Sequence, residues 1–330
     1  MRIVLDAMGS DEHPEPELEA AVEAQRLWGD RLTLTGPADT LEPRIDPSLA
    51  EIVDAPEVLT MDDKPALAAK QKRNSSMAVG MRMLKHDEAD AFVSMGNTGG
   101  AMATALFQLG RIRGVKRPAL SPVFPVRDGS TVVIDIGANT DSRPLHLLQF
   151  GIMGSIYAEV FLERNNPRVA LLSTGEEEGK GNMLVGEADA LLRRSALNYI
   201  GNVEPRELYA GEADVVVTDG FSGNIFLKTS EAVAAMLVEM ISAEMKSSPI
   251  TAAGGLLAKP AFKKVGKLLD PSEYGAVPLL GLDGLVFIGH GRSNAHAIVS
   301  ALRATRKAVS RGLLEAIREG IKTSLEESDI

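Results

Sequence analysis

The sequence predicts a doubly wound, three-layer α/β/α protein on a largely parallel sheet, and three observations carry that prediction. Short, β-branched-rich apolar runs alternate with helical patterns along the chain, as a parallel sheet covered on both faces requires. Several of those runs empty into Gly/Asn loops of one type, which in such sheets gather as ligand loops at the strands' carboxyl ends. The 330 residues are enough for one sizeable domain or two lobes sharing a sheet, and no repeat or linker divides them. We therefore expect one domain over residues 1–330, in two lobes about a cleft.

In chain order, residues 2–6 form a first strand, whose exit Asp6-Ala7-Met8-Gly9-Ser10-Asp11 leads into a helix over 16–28. A second strand over 31–35 stops at Gly36-Pro37, and a short third spans 51–54. An irregular connection begins at Met61-Asp62-Asp63-Lys64-Pro65 and is made basic by Lys70, Lys72 and Arg73. Ser75-Ser76 caps a helix carrying Met77, Gly80, Met81 and Leu84. The next run, Ala91-Phe92-Val93, exits through Ser94-Met95-Gly96-Asn97-Thr98-Gly99-Gly100 into a small-residue helix over 101–110.

Val132-Val133-Ile134 exits through Asp135-Ile136-Gly137-Ala138-Asn139-Thr140-Asp141 and precedes a helix over 145–163. The central run, Val169-Ala170-Leu171-Leu172, breaks into Ser173-Thr174-Gly175-Glu176-Glu177-Glu178-Gly179-Lys180-Gly181-Asn182, with a helix over 186–195 after it. Val215-Val216-Val217 exits through Thr218-Asp219-Gly220-Phe221-Ser222-Gly223-Asn224. A long amphipathic helix over 224–245 follows, with Leu227, Val233, Leu237, Met240 and Ile241 expected inward. Leu285-Val286-Phe287-Ile288 exits through Gly289-His290-Gly291-Arg292-Ser293-Asn294, and the chain is helical from Ala295 onward.

One segment breaks the alternation. Residues 250–269 contain no acidic residue and set Lys259, Lys263, Lys264 and Lys267 among Leu257, Phe262, Val265 and Leu269. On a helix the lysines at 259, 263 and 267 share one stripe and the apolar residues another, the pattern of an interfacial helix or of a surface helix packed on its own protein. Pro260 suggests a break or a helix start, and 270–275 reads as a loop, so a protruding amphipathic insertion is expected at about 247–275. A second basic cluster, Arg111, Arg113, Lys116 and Arg117, is a solvated helix end or a dock for an acidic partner.

Composition narrows the chemistry. With no cysteine there is no disulfide, thiolate nucleophile or thiolate metal site, and an intracellular location is the simplest expectation. The start lacks a signal-peptide pattern, no run of about eighteen apolar residues occurs, and a net charge of −10 argues against nucleic acid. Of five histidines only His290 sits at a strand exit, so a Ser-His-Asp hydrolase is not expected.

The glycines at 175, 179 and 181 free the central loop's amides to turn toward one anion, with Lys180 as the full positive charge. It is not a Walker loop, since Gly181 follows the lysine where a hydroxyl is needed. The carboxylates Glu176 to Glu178, Asp6, Asp135 and Asp219 could hold a metal, but they also cap amides; neutral donors and one lysine around an anion is the simpler reading, with no metal. Phosphate held there is itself a nucleophile. Aligned against an acyl thioester it needs little general-base help, only alignment and donors for the tetrahedral oxyanion. We expect Lys180, Asn182, Asn97 and Asn224 to carry that work, with Gly96, Thr98, Gly99, Asn139, Gly179, Gly181, Asp219, Gly223 and His290 lining the substrate.

The strings Asp6-Ala7-Met8-Gly9, Met95-Gly96-Asn97-Thr98-Gly99, Asp135-Ile136-Gly137-Ala138-Asn139, Gly175-Glu176-Glu177-Glu178-Gly179-Lys180-Gly181-Asn182, Asp219-Gly220-Phe221-Ser222-Gly223-Asn224 and Asp270-Pro271-Ser272-Glu273-Tyr274-Gly275 stand in order. With them the chain closely resembles, over essentially its whole length, the bacterial phosphate acyltransferases of phospholipid synthesis. The resemblance implies transfer of a fatty acyl group from acyl carrier protein to orthophosphate. The acyl phosphate would then serve a membrane-bound glycerol-3-phosphate acyltransferase in phosphatidic acid synthesis. It also implies a homodimer of the isopropylmalate-dehydrogenase-like fold shared with phosphate acetyltransferases, and no cofactor. On this reading Arg111, Arg113, Lys116 and Arg117 dock the carrier protein. The 254–269 helix then holds a cytoplasmic enzyme peripherally on the anionic inner face of the plasma membrane.

The chain departs from the family pattern twice. Gly9-Ser10-Asp11-Glu12-His13-Pro14 displaces a histidine by one position, and His290-Gly291-Arg292-Ser293-Asn294 adds a positive charge and removes a negative one. Two alternatives are open at this point. A metal- and NAD-dependent dehydrogenase of the same fold would need a nicotinamide site, yet no G-x-G-x-x-G follows a strand. A non-catalytic membrane scaffold would explain the basic helix but not the polar exits.

Overall fold

The parallel strands of a computed structural model gather in two sheets, and the structure describes residues 1–327, without the side chains of 267–269, 271 and 325–327. In chain order the first elements are β1 (Ile3–Asp6), α1 (Glu15–Trp28), β2 (Leu32–Gly36), α2 (Ala38–Leu41), β3 (Ala50–Asp54), α3 (Pro65–Gln71), α4 (Ser76–Lys85), β4 (Ala91–Ser94) and α5 (Thr98–Gln108). The middle holds β5 (Ala119–Leu120), β6 (Val123–Val126), β7 (Gly129–Ile134), α6 (Pro144–Leu162), β8 (Val169–Leu172), α7 (Met183–Leu192), β9 (Tyr199–Val203), α8 (Pro205–Ala210), β10 (Val215–Val217) and α9 (Gly220–Met245). The last are α10 (Pro249–Leu269), β11 (Ala276–Leu280), β12 (Val286–Gly289), α11 (Ala295–Ser310) and α12 (Leu313–Glu327).

Among the described residues one sheet runs β3-β2-β1-β4-β12-β11-β5 and the other β6-β7-β10-β8-β9. The first is parallel from β3 through β12, with Ile3 beside Ala91 and Phe92 beside Val286, and antiparallel at β11 and β5. The second is parallel except for β6, and Val215-Val216-Val217 lies between β7 and β8. Both central strand sets are fully buried, which is why they read as continuous apolar runs rather than alternating ones. Helices cover both sheets, so the three-layer doubly wound prediction holds.

Close approach of helix to sheet fixes the layers. A Cβ on Gly154 of α6 would stand 2.7 Å from Val215 and 3.1 Å from Ile134, so α6 lies on β7 and β10 as only glycine permits. By length and composition α6 could cross a membrane, but Leu147, Phe150, Met153 and Tyr157 are core residues and α12 covers its other side.

Several boundaries differ from expectation. Residues 65–71 are helical, Pro65 starting α3, where an irregular connection was expected. The β9–α8 unit and the short strands β5, β6 and β11 are additional; two to five residues carry little periodicity. The C-terminal helix is two helices, divided where Gly312 takes φ 65°. Pro260 does not break α10, which continues through it as one helix. A proline costs an interior helix one N–H bond, and here it falls on an exposed stretch of helix, with Leu256, four residues back, 71% exposed.

The largest correction concerns α9. Its root is anchored by rings, with Phe226 5.5 Å from Phe124 and 5.6 Å from Tyr209, and by the Tyr209 hydroxyl donating to Ser230 Oγ at 2.5 Å. Leu227 is half-buried there. Val233, Leu237, Met240 and Ile241, expected inward, are instead exposed, because α9 outruns the sheet and packs against α10. An amphipathic stripe marks an apolar face without saying what covers it.

Candidate functional site

The strand exits form two groups, one at each sheet. In the first, Gly9 lies so close under the β4 exit that a Cβ would be 2.8 Å from the Met95 nitrogen and 2.9 Å from that of Gly96. Asp6, fully buried at the end of β1, accepts the Met8 N–H at 3.1 Å and the Ser94 hydroxyl at 2.6 Å, and Ser94 Oγ in turn accepts the Gly96 N–H at 3.0 Å. Burial raises the Asp6 pKa, opposed by those hydroxyl and amide donors. Asp11 N–H donates to the Gly291 carbonyl at 2.7 Å and so ties in the β12 exit.

The first departure from the family pattern sits here. Ser10 gives both its N–H and its hydroxyl to Glu17, at 2.9 and 3.1 Å, and His13 Nδ1 lies 2.7 Å from the Ser10 carbonyl. Glu17 has its pKa pushed up to about 7, chiefly by burial, against the Ser10 donors and with the charge of Asp6 adding to the rise. At the second departure, Asn294 caps α11 by accepting the Ala297 N–H at 3.0 Å, the service an aspartate performs at an N-cap. Arg292 and His290 are both exposed beside it.

Asn97 is committed to the scaffold. Its Oδ1 accepts the Gly100 N–H at 2.9 Å as the cap of α5, and its Nδ2 donates to the carbonyls of Thr60 and Met61 at 3.3 and 3.0 Å. Thr98 is exposed, whereas Gly96 is buried and Gly99 packs on Pro65.

The second group is built on β7, β10 and β8. Asp135 is buried and accepts from the N–H groups of Leu120, Gly137, Ala138 and Asn139 and from Asn139 Nδ2, at 2.7 to 3.2 Å. Burial raises its pKa while those donors oppose the rise. Asn139 also donates to the Pro118 carbonyl at 2.7 Å, so its amide is spent within the protein. Asp219 caps α9 by accepting from Phe221 and Ser222. Gly220 and Gly223 then press on this loop: a Cβ would fall 2.5 Å from the Asn139 carbonyl at the first and 2.0 Å from that of Asp135 at the second. The motif glycines of 219–224 therefore seat α9 against the β7 exit, and Asn224 sits beside Gly137 with its amide free among the described residues.

The glycine-rich loop leaves β8, the neighbour of β10, and stands open. Lys180, Gly179, Gly181 and Asn182 are exposed, Gly179 and Gly181 at φ 85° and 100°. The Lys180 ammonium has no hydrogen-bond or ion-pair partner among the described residues. Asn182 spends its Oδ1 on the Val185 N–H at 3.0 Å, capping α7, and keeps its Nδ2 free among the same residues. Glu176 is turned to α8, where its side chain bonds Glu207; that bond, with the charges of Glu207, Glu212 and Glu204, raises its pKa. The acidic run thus points partly away from the lysine. Chemically, this loop offers one full cation, the Asn182 amide and open backbone N–H groups, and the neighbouring β10 exit adds the Asn224 amide, donors suited to an anion and to a developing oxyanion. Among the described residues no group of three or more Asp, Glu or His stands in metal-binding arrangement.

Of the residues named from sequence, the structure brings Lys180, Gly179, Gly181 and Asn182 together on one loop and sets Asp219, Gly223, Asn224 and Asn139 on the adjoining exits. Gly96, Asn97, Thr98, Gly99 and His290 belong to the other sheet's group. Arg111, Arg113, Lys116 and Arg117 are all exposed, on a loop rather than a helix end, with Lys116 N–H held by Gln149 at 2.8 Å. Arg117 and Arg143 both face His146, whose pKa is lowered by burial and then by these two charges. Sequence reasoning missed Arg143, which lies far along the chain from the cluster. Leu257, Lys259, Phe262, Lys263, Lys264 and Val265 are exposed on α10; the side chains of Lys267 and Leu269 lie outside the described residues.

Comparison with known proteins agrees with this architecture. The solved phosphotransacetylase of Streptococcus pyogenes superposes with a TM-score of 0.64 at 17% identity, covering 94% of each chain. A branched-chain phosphotransacylase from Enterococcus faecalis superposes at 0.56 and 15% identity, covering 94% of this chain and all of that one. At such identities the likeness speaks for the fold. In sequence, the phosphate acyltransferase of Heliobacterium modesticaldum is 45% identical over 99% of both chains, and that of Acidobacterium capsulatum 46% identical over 94% of both. Residues 1–316 match the family described as fatty acid synthesis protein. The chain is thus an acyltransferase and belongs to that family, the family of the phosphate acyltransferases.

Proposed function

We propose that this acyltransferase takes its fatty acyl group from acyl carrier protein, passes it to orthophosphate held by loop 175–182, and supplies the acyl phosphate to phospholipid synthesis. Acyl transfer to phosphate is the family's reaction; the donor and the destination are our reading. The observation that carries it is the unpartnered Lys180 ammonium on an exposed glycine-rich loop, with the free amide of Asn182 on the same loop and that of Asn224 on the exit of the neighbouring strand. A phosphate oxygen attacks the thioester carbonyl carbon as the C–O bond forms. The oxyanion collects the amide donors, and its collapse breaks the C–S bond. The departing thiolate has a conjugate-acid pKa near 8.5 and needs little acid help.

Three surfaces support the rest of the reading. The exposed Arg111, Arg113, Lys116 and Arg117, with Arg143 nearby, suit an acidic carrier protein that a net-negative enzyme would otherwise repel. The exposed apolar face of α9 at Val233, Leu237 and Ile241 suits a second copy of the chain, as a homodimer requires. The acid-free helix α10 suits the anionic inner face of the plasma membrane, where a membrane glycerol-3-phosphate acyltransferase would take the product. The alternative dehydrogenase is not favoured by relatives named for acyl transfer.

The test is a direct one. Purified protein is given palmitoyl-acyl carrier protein and phosphate, and acyl phosphate is trapped with hydroxylamine. We expect phosphate-dependent product, and in Lys180→Ala a phosphate KM raised about 10- to 150-fold, as loss of a charge-assisted contact implies. Product formation with unchanged phosphate KM in a folded Lys180→Ala would remove the lysine from the site. No product at all from wild type would remove the donor.

A further inference from the structure

Ser94 and Ser173 hold the same place in the two sheets, at the carboxyl end of a buried parallel strand, but their hydroxyls are used differently. Ser94 Oγ donates to Asp6 and accepts from Gly96. Ser173 Oγ is buried too, yet it has no hydrogen-bond partner among the described residues. Its backbone is fixed, because the Ser173 N–H donates to the Val203 carbonyl at 2.9 Å and carries the β8–β9 ladder one residue past β8. Its place against the glycine-rich loop is fixed as well. A Cβ on Gly181 would fall 3.0 Å from Ser173 Oγ, and one on Gly175 would fall 3.0 Å from Lys180 Cγ. The loop thus closes on its own start, with the hydroxyl against the residue that follows Lys180. A buried hydroxyl without a partner is a cost that folded proteins seldom carry. The other unpaired groups at this point, again among the described residues, are the Lys180 ammonium and the N–H groups of Gly181 and Asn182. All of them are donors.

We propose that Ser173 is a further phosphate ligand, its hydroxyl donating to an oxygen of the anion held by loop 175–182. This rests on the reading of that loop as the phosphate seat. A set of donors without an acceptor calls for an acceptor-rich partner, and dianionic phosphate carries unprotonated oxygens in several directions. Lys180 supplies the charge, the Gly181 and Asn182 N–H groups supply direction, and Ser173 completes the set from the strand side. Gly181, which lies against the hydroxyl, has no side chain and takes φ 100°, and Gly179, on the other side of Lys180, takes φ 85°. Glycine adopts either sign of φ without a steric penalty, so this segment can shift off the hydroxyl as phosphate seats. A bond to a phosphate oxygen that keeps its place through the reaction acts on substrate and transition state alike, so it sets the phosphate KM rather than kcat.

The probe is inorganic phosphate, given with palmitoyl-acyl carrier protein to wild type, Ser173→Ala and Ser173→Cys. Cysteine fills the space of serine but is a weak donor, so it separates the loss of the hydrogen bond from the loss of volume. Both variants should raise the phosphate KM about 5- to 10-fold, as loss of one neutral hydrogen bond implies, with kcat within about twofold and the KM for the carrier unchanged. Urea unfolding gives the second readout. Without phosphate, Ser173→Ala should be at least as stable as wild type, because it removes a polar atom that has no partner, and added phosphate should stabilise it less. An unchanged phosphate KM in the two variants overturns the proposal. So does a Ser173→Ala protein that is less stable without phosphate and gains as much from it as wild type, which would give the hydroxyl to the fold. Lys180→Ala separates the two readings: a raised KM there beside an unchanged one in Ser173→Ala keeps the loop as the seat and removes the serine, while the converse keeps the serine and removes the lysine.

Discussion

The Ser94 hydroxyl donates to Asp6 at 2.6 Å across two paired strands, and this bond locks the β1 and β4 exits into one unit. The same oxygen holds the Gly96 N–H, so one hydroxyl serves a buried carboxylate and a loop amide at once. Ser94→Ala strips a donor from the carboxylate and an acceptor from the amide, both buried. We expect a loss of about 2 kcal/mol of stability. Urea unfolding of the variant checks it, and a change within a few tenths would mean that Ser76, the other hydroxyl on Asp6, suffices.

Glu17 gives the fold a pH dependence of definite sign. Its pKa is about 7 in the folded protein against an ordinary 4.5, so between those values the folded state binds the extra proton. That contribution is fully present below about pH 4.5 and is lost as pH rises through 7, by up to about 3 kcal/mol. Glu17→Gln keeps an acceptor for Ser10 and carries no charge. The stability of the variant relative to wild type should therefore grow from pH 5 to pH 8, as chemical unfolding at several pH values measures. A constant difference would place the Glu17 pKa near its ordinary value.

The proposed carrier docking through Arg113 and Arg117 would be electrostatic and exposed, hence screened. The apparent affinity for acyl carrier protein should fall as salt rises from about 0.05 to 0.3 M, where the Debye length shortens. The double reversal Arg113→Glu, Arg117→Glu should lower carrier affinity at least tenfold and leave the phosphate KM as it was. Surface plasmon resonance with immobilised carrier would detect this. Unaltered affinity would shift the dock to the lysines of α10.

On α10, each lysine near an anionic surface is worth about 1 kcal/mol and the apolar residues add their own burial, so attachment should be reversible and lipid-dependent. Flotation with vesicles containing phosphatidylglycerol should carry the wild type, and neutral vesicles should carry less. Phe262→Glu should lose flotation. Equal flotation of the two would detach this helix from the membrane proposal.

Much of this was legible in the sequence because buried parallel strands are self-announcing: Val132-Val133-Ile134 and Val215-Val216-Val217 have no alternation to misread, and each ends at a glycine-bearing loop. The N-cap at Ser75 was equally plain, accepting from Ala78, whereas the cap role of Asn182, which starts α7 at Met183, was not. What was hidden is spatial. Nothing local says that the Asn97 amide is spent on Thr60 and Met61, or that the exits divide between two sheets. The burial of Val233 and Leu237 was misjudged for the same reason, since periodicity reports a face and not its neighbour.

The hairpin of α9 and α10 has a mechanical side as well. The helix of 26 residues is held from the Asp219 cap to Ser230, so the stretch beyond that root is roughly 22 Å long. A tilt of about 5° at that root sweeps the far end through roughly 2 Å, and load on the tip is returned, magnified by the same lever, to the backbone beside Asp135 and Asn139. The tip and the β7 exit are therefore opposite ends of one stiff beam, whose base rests on two residues without side chains.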